Sequence, residues 1–417
     1  MGNNKIYISF LFFIFYCGLY AQYNTEFINY GSVKRSVSVN VDFDAGSNGM
    51  STSLTNKLIF GGYIDNDLKK ESSRHLRQKN NFGINLNYNV NTFIRGNSKF
   101  DFLIGFKNQE ILNATYSKDF YNLLFYGNDS YRGLTANFEN CNLNALRFQE
   151  VKFGVIMHKV DSVGKIGVSL SFLKGEQLFY LKTNKNSGLY TSADGSELIL
   201  NSNFNLAISD TNNKRITSFN GVGASADIFF ETPYKSNIGK RSVLIANANN
   251  IGFIHWLNNS VQYNSDSSLH FSGYTVNNIA DLKDSTLNRI NRDSLLRGLT
   301  NARTENFNTN IPTNLIIINK IYFGSRELFC LQTGFRYIFN ANYKPYIFVE
   351  PEYRVKNVMF GLHVGYGGYV RLNVGTSVTW NSKNWFLRVG SNSLQGYFVP
   401  KSASGQGLFF SLAKKFK

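Results

Sequence analysis

The stretch Phe82-Gly83-Ile84-Asn85-Leu86-Asn87-Tyr88-Asn89-Val90-Asn91-Thr92-Phe93-Ile94 decides the fold. In an extended chain Phe82, Ile84, Leu86, Tyr88, Val90, Thr92 and Ile94 share one face, and Gly83, Asn85, Asn87, Asn89 and Asn91 share the other. A two-faced strand of thirteen residues is longer than most soluble strands and suits a tilted crossing of a bilayer. The pattern returns where Val370, Leu372, Val374, Thr376, Val378 and Trp380 alternate with Arg371, Asn373, Gly375, Ser377 and Thr379. One face meets lipid and the other water, which reads as an all-β chain forming a transmembrane antiparallel β-barrel.

The N-terminal residues give such a barrel an address. Lys5 opens a short positive start, Ile6 to Tyr20 is apolar, and Ala21 offers a small residue at a cleavage point, so residues 1–21 read as a secretory signal. Bulky Tyr16 before Cys17 fits poorly with lipidation. Residues 22–417 then form one barrel domain, placed in the outer membrane of a Gram-negative bacterium. Its expected surroundings are outer-membrane lipid and lipopolysaccharide, and its expected partner in biogenesis is the barrel-assembly machinery. After residue 21 no apolar stretch is long enough for a spanning helix, and strands cross a membrane only as a closed barrel. Five Pro, 35 Gly, 15% aromatic residues and a mean hydropathy of −0.23 suit half-polar strands joined by glycine-marked turns. The net charge of +17 is scattered over candidate loops and polar faces, with no motif to gather it on nucleic acid. Cys141 and Cys330 make no disulfide framework and are expected to stay unpaired.

Alternation marks seventeen segments: 37–44, 57–64, 82–95, 98–108, 145–159, 163–173, 197–209, 219–231, 241–248, 251–263, 312–323, 326–339, 344–355, 357–366, 369–380, 384–391 and 406–416. Such barrels close with an even number, so some segments are loop hairpins or parts of one strand; about fourteen strands, within 12–16, is the expectation. Residues 110–144, 174–196 and an insertion-like stretch at 264–311 read as loops. Within the last, Ile279, Leu282, Leu287, Ile290, Leu295, Leu296 and Leu299 recur at helical spacing, so residues 277–299 read as a surface helix or a short lid over the barrel mouth.

In the C-terminal third each strand can be faced. Phe329, Leu331, Phe335, Tyr337 and Phe339 oppose Arg326, Cys330, Gln332, Gly334 and Arg336, and Ile347, Val349, Tyr353 and Val355 oppose Tyr346, Phe348, Glu350, Glu352 and Arg354. Charge is costly in lipid, so the charged faces turn inward and Arg326, Arg336, Glu350, Glu352, Arg354, Arg371 and Arg388 become the candidate lumen-lining residues. They serve either as a salt-bridge network bracing the wall or as a cationic lining that attracts anions.

Catalytic signatures are missing. His75, His158, His255, His270 and His363 sit in no nucleophile motif, and neither G-x-S-x-G nor H-E-x-x-H occurs. Gly221-Val222-Gly223 lies in a strand with no P-loop lysine after it, and Asp42, Asp44 and Asn48 lack the acidic residue that completes a calcium loop. The chain is therefore expected to be no enzyme, with no cofactor and no metal.

Phe60-Gly61-Gly62-Tyr63-Ile64-Asp65, Asn250-Ile251-Gly252-Phe253-Ile254-His255-Trp256, Ile311-Pro312-Thr313-Asn314 and Gly390-Ser391-Asn392-Ser393-Leu394-Gln395-Gly396, followed by Pro400 and Ala403-Ser404-Gly405, resemble an uncharacterised family of Bacteroidota outer-membrane proteins defined as a domain of unknown function. That family is similar to fatty-acid-transporter-like barrels and to barrel components of type IX secretion and gliding machinery. The resemblance implies about fourteen strands. With the inward charges it points to a channel or transporter for a small hydrophobic or anionic solute; the alternative is a non-transporting barrel that docks secretion or gliding partners.

Overall fold

The computed structural model describes residues 33–96, 99–158, 164–210, 213, 215–257, 259–272 and 301–416. The signal at 1–21 and the helix expected over 277–299 lie outside them. Twenty strands follow in chain order: β1 (Arg35–Ser47), β2 (Lys79–Arg95), β3 (Phe100–Ser117), β4 (Leu134–Asn137), β5 (Asn142–His158), β6 (Lys165–Thr183), β7 (Gly188–Thr191), β8 (Leu198–Ile208), β9 (Gly221–Tyr234), β10 (Arg241–Trp256), β11 (Val261–Phe271), β12 (Asn301–Thr304), β13 (Phe307–Asn310), β14 (Asn314–Phe323), β15 (Phe329–Ile338), β16 (Lys344–Val355), β17 (Val358–Gly368), β18 (Leu372–Asn381), β19 (Trp385–Ser393) and β20 (Gly405–Phe416).

All except β4, β7, β8, β11, β12 and β13 build the wall of a closed fourteen-stranded antiparallel barrel. Each wall strand pairs with the next, and β20 returns to β1, with Leu412 opposite Val39. Closure satisfies every strand's ladder, as lipid requires. The outer face carries an apolar belt: Phe102, Ile104 and Phe106 on β3, Phe153 on β5, Leu170 and Phe172 on β6, and Phe360, Leu362, Val364 and Tyr366 on β17 are all exposed. Just above it on the same face, Arg147 Nε lies 2.6 Å and Lys174 Nζ 3.2 Å from Glu176, so charge resumes where lipid ends.

Short turns join the strands at one end of the barrel, such as 356–357 between β16 and β17; long connections at the other end include 48–78 and 118–141. At the long-loop end the wall rises into a fin. The last residues of β6 pair with β8, β8 pairs with β7 and β11, β11 with β12, β7 with β4, and β10 with β13.

Three of the seventeen expected segments change meaning, and fourteen wall strands result. Residues 57–64 are not a strand: α1 (Thr52–Phe60) starts at Ser51, whose Oγ accepts from the Leu54 N–H at 3.4 Å. Its Ile59 covers Ala45 and Ile84 on the outer face of the barrel rim, so an alternating sequence is overridden by capping and packing. Residues 197–209 form β8, a fin strand. Segments 241–248 and 251–263 are largely one strand, β10, interrupted by a bulge at Asn249–Asn250. The loops expected over 110–144 and 174–196 are partly strand, because β3 runs to Ser117 and β6 to Thr183; α3 (Lys118–Tyr126) follows β3, and α2 (Asn66–Ser73) follows α1.

Cys330 and Cys141 are both free. Cys330 is 3% exposed on the inner face of β15, while Ile347 on the outer face of β16 is 60% exposed, so the register of these strands is the one their alternation demands. A membrane-impermeant maleimide on folded protein is therefore expected to leave Cys330 unmodified and to label it after unfolding. Burial pushes the Cys141 thiol up, so Cys141 should label slowly at neutral pH and faster as pH rises past the usual thiol range. Rapid labelling of Cys330 in the folded barrel would overturn its burial on the inner face.

Candidate functional site: an occluded lumen

Two hairpin turns at the long-loop end fold into the barrel. In the β15–β16 turn, Asn340 and Asn342 adopt φ of 57° and 49°, a left-handed conformation that asparagine tolerates. This drives Ala341 and Tyr343 inward, where both are buried. Asn342 Nδ2 donates to Asn113 Oδ1 on β3 at 2.7 Å, and Asn81 Nδ2 on β2 donates to the Asn342 carbonyl, so the turn touches the opposite wall. The β17–β18 turn uses Gly367 and Gly368, at φ of 113° and 70°, to aim Tyr369 and Val370 the same way. Glycines on the receiving wall make room: a Cβ on Gly83 would stand 2.3 Å from the Tyr369 ring, and one on Gly46 2.2 Å from Val370 Cγ1. Tyr369 OH donates to the Ala341 carbonyl at 2.8 Å, and its ring meets Tyr343 edge-on at 4.9 Å, fastening the two turns together. Their side chains join inward Phe93, Leu103, Ile156, Phe229, Ile245 and Ile318 in one buried apolar cluster.

A buried polar layer spans the lumen beside this plug. Glu150 on β5 holds Lys107 at 2.9 Å and Lys152 at 3.2 Å, and Lys152 also contacts Asp227 on β9. Two cations face two carboxylates, with Ser171 Oγ donating to Glu150 at 2.6 Å and Ser169 Oγ to Asp227 at 2.9 Å. The β10 bulge completes it. Asn250, at φ of 61°, donates its backbone N–H to Asp227 at 2.8 Å; its side chain accepts from Lys107 at 2.7 Å and donates to Gln109 at 3.1 Å. β10 is thereby tied to β3 across four places of the wall. None of Lys107, Glu150, Lys152, Asp227 and Asn250 was singled out for the lumen from sequence. The available signals were Glu150 and Lys152 alternating with Val151 and Phe153, and the paired asparagines at 249–250.

The expected inward charges divide. Glu350 and Glu352 on β16 are buried; Arg388 Nη2 donates to Glu350 Oε1 at 2.7 Å and lies 3.5 Å from Glu352. Ser377 Oγ donates to Glu350 at 3.0 Å. His363 Nδ1 lies 3.3 Å from its other oxygen, and His363 Nε2 lies 2.6 Å from Tyr346 OH. Arg336 lies deep beside the plug, donating from Nε to Asn314 Oδ1 at 2.9 Å. The other three lie elsewhere. Arg326 is exposed in the turn before β15, because that strand begins at Phe329; Arg354 keeps inward parity but is exposed at the short-turn end of β16. Arg371 precedes β18 in the long-loop turn, where its N–H donates to Ser404 Oγ at 3.2 Å. β15 and β18 start three residues later than alternation marks them, which carries Arg326 and Arg371 out of the lumen.

A vestibule and a chamber flank the plug. The vestibule, of about 550 Å³ at the long-loop end, is lined by Asn142, Asn144, Asn308, Asn310, Asn340 and Asn342, with Thr309 and Tyr180 beside them and Leu146, Leu178 and Ile338 beneath. The chamber, of about 50 Å³, lies within the barrel among Asp42, Asn87, Lys107, Asn250, Arg336 and Tyr369. Ile338 and Ala341 line both.

A closed wall, an apolar belt and a lumen stopped by inward turns define a transmembrane β-barrel with an occluded interior. The chain belongs to the Family of unknown function (DUF5723), whose profile matches residues 31–390. Among solved structures it is similar to a deltaS2S3 mutant of the TodX monoaromatic hydrocarbon channel, with a TM-score of 0.48 and 10% identity over 93% of this chain and 92% of that one. It is also similar to the toluene transporter TbuX of Ralstonia pickettii, at 0.43 and 12% over 93% and 90%. A third is the translocator domain of the autotransporter NalP from Neisseria meningitidis, at 0.36 and 6% over 94% and 91%. No curated protein matches the chain.

Proposed function

We propose that the protein is a gated passage of the outer membrane, admitting a small solute from the long-loop side when the paired turns withdraw. The observation that carries this reading is the plug itself. Hydrogen bonds between neutral groups and aromatic packing hold it, with a roomy vestibule on one side and a smaller chamber on the other. Such contacts are individually modest, so displacement is within reach of a ligand or a partner. The long loops then face the cell exterior, and lipid and lipopolysaccharide surround the belt. The resemblance of the sequence motifs to Bacteroidota outer-membrane proteins supports this placement.

Valine at Gly83 tests the gate from the far wall, because its side chain overlaps the Tyr369 ring. Overpacking of this kind disfavours the packed state by about 1–3 kcal/mol, enough to raise the open fraction about tenfold. In planar bilayers the native protein is expected to conduct rarely and Gly83→Val about tenfold more. If neither form passes ions or any small solute while both remain heat-modifiable on gels, the passage reading fails. The docking alternative then gains ground, and one observation favours it: among the described residues β4 pairs only with β7, and β12 only with β11, leaving fin edges to which a partner strand could add.

A further inference from the structure

We infer that the vestibule is a binding site for a neutral saccharide, which deepens the passage reading by naming the class of solute. The lining contains no charged side chain. An ionised solute seated there would lose water without gaining a counter-charge. The lining is nonetheless rich in hydrogen-bonding groups, since each asparagine amide offers one acceptor and two donors. Six asparagine amides on one cavity wall make a hydrogen-bonding capacity that requires both donors and acceptors from whatever fills the space. A hydrocarbon leaves it unmet, and a carboxylate brings no donor. Hydroxyl groups bring donors and acceptors together. Leu146, Leu178 and Ile338 supply the apolar surface against which the C–H face of a sugar ring can lie, with Tyr180 offering both an apolar ring and a hydroxyl. The cavity, at about 550 Å³, falls within the size of small-ligand sites. The solute inferred here differs from the hydrophobic or anionic one expected from the sequence. Of the charges behind that expectation, Arg388 is paired with Glu350 and Glu352, Arg336 lies beside the plug on Asn314, and Arg326, Arg354 and Arg371 lie at the barrel ends.

The experiment is saturation-transfer NMR and equilibrium titration on the full barrel in detergent. The probes are neutral trisaccharides of glucose, mannose, xylose and N-acetylglucosamine, with benzoate and naphthalene as competitors of other chemistry. Two variants remove amides: Asn144→Leu, and Asn340→Gly, which keeps the left-handed turn. At least one trisaccharide is expected to bind saturably, and each variant to weaken it about fivefold while the protein stays heat-modifiable. The inference is overturned if no trisaccharide binds, if both variants bind unchanged, or if benzoate or naphthalene occupies the same site in preference. Conductance of the same preparations separates the two readings. Saccharide binding without passage removes the transporter and keeps the site, whereas passage without saccharide binding does the reverse.

Discussion

Glu150→Ala is expected to destabilise the folded barrel by about 3–5 kcal/mol, because it leaves Lys107 and Lys152 buried without the carboxylate they share. The loss comes from the stranded charges more than from the missing attraction. Pairing it with Lys107→Met restores neutrality around the remaining Lys152–Asp227 contact, and the double variant should recover most of the stability. Urea unfolding from lipid vesicles, followed by tryptophan fluorescence and gel mobility, measures both. Equal losses in single and double variants would show that the network acts through packing and not through charge.

Leu362→Arg is expected to be the most damaging change on the outer face. Leu362 sits mid-belt on β17 between Phe360 and Val364, all exposed away from the lumen. Arginine at the bilayer midplane costs about 2–4 kcal/mol, and near an interface about 0–1 kcal/mol. The same substitution at Tyr366, at the belt's long-loop edge, should therefore be far milder. Similar stabilities for the two variants in vesicles would place the bilayer at a different height on the barrel.

Much of this wall was legible in the sequence because period-two alternation and bilayer length constrain each other. The inward Cys330, Gln332, Arg336, Glu350 and Glu352 and the outward Phe335, Ile347 and Val349 follow from parity alone. Where alternation met a competing local rule, it misled. Lys57 to Ile64 alternates tolerably, but its first four residues close a helix opened by an N-cap serine, and Leu198 to Ile208 alternates as a fin strand that never enters the belt. Strand ends were poorly marked, so Arg326 and Arg371 were counted inside.

The occlusion was illegible for a different reason. Nothing in Gly367-Gly368-Tyr369-Val370 says that a hairpin turn folds inward rather than outward, and the glycines that receive Tyr369 and Val370, Gly83 and Gly46, are more than 280 residues away in the chain. Likewise Lys107, Glu150 and Asp227 are ordinary polar-face residues until register brings three strands together. Sequence distance hides what sheet geometry joins.

The pairing of β1 with β20 has a consequence for assembly. Residues such as Val39 and Leu412 become neighbours only after every intervening strand has found its place, so this seam is the most non-local contact in the wall. Its formation carries the largest chain-closure entropy and is expected to be the slowest step on the way to the native state. Until it forms, the molecule is a curved sheet with two bare edges of complementary register, and two such sheets can satisfy each other head to tail. A chain lacking β20 should therefore accumulate as edge-paired oligomers, and a β20 peptide supplied separately should compete with that association.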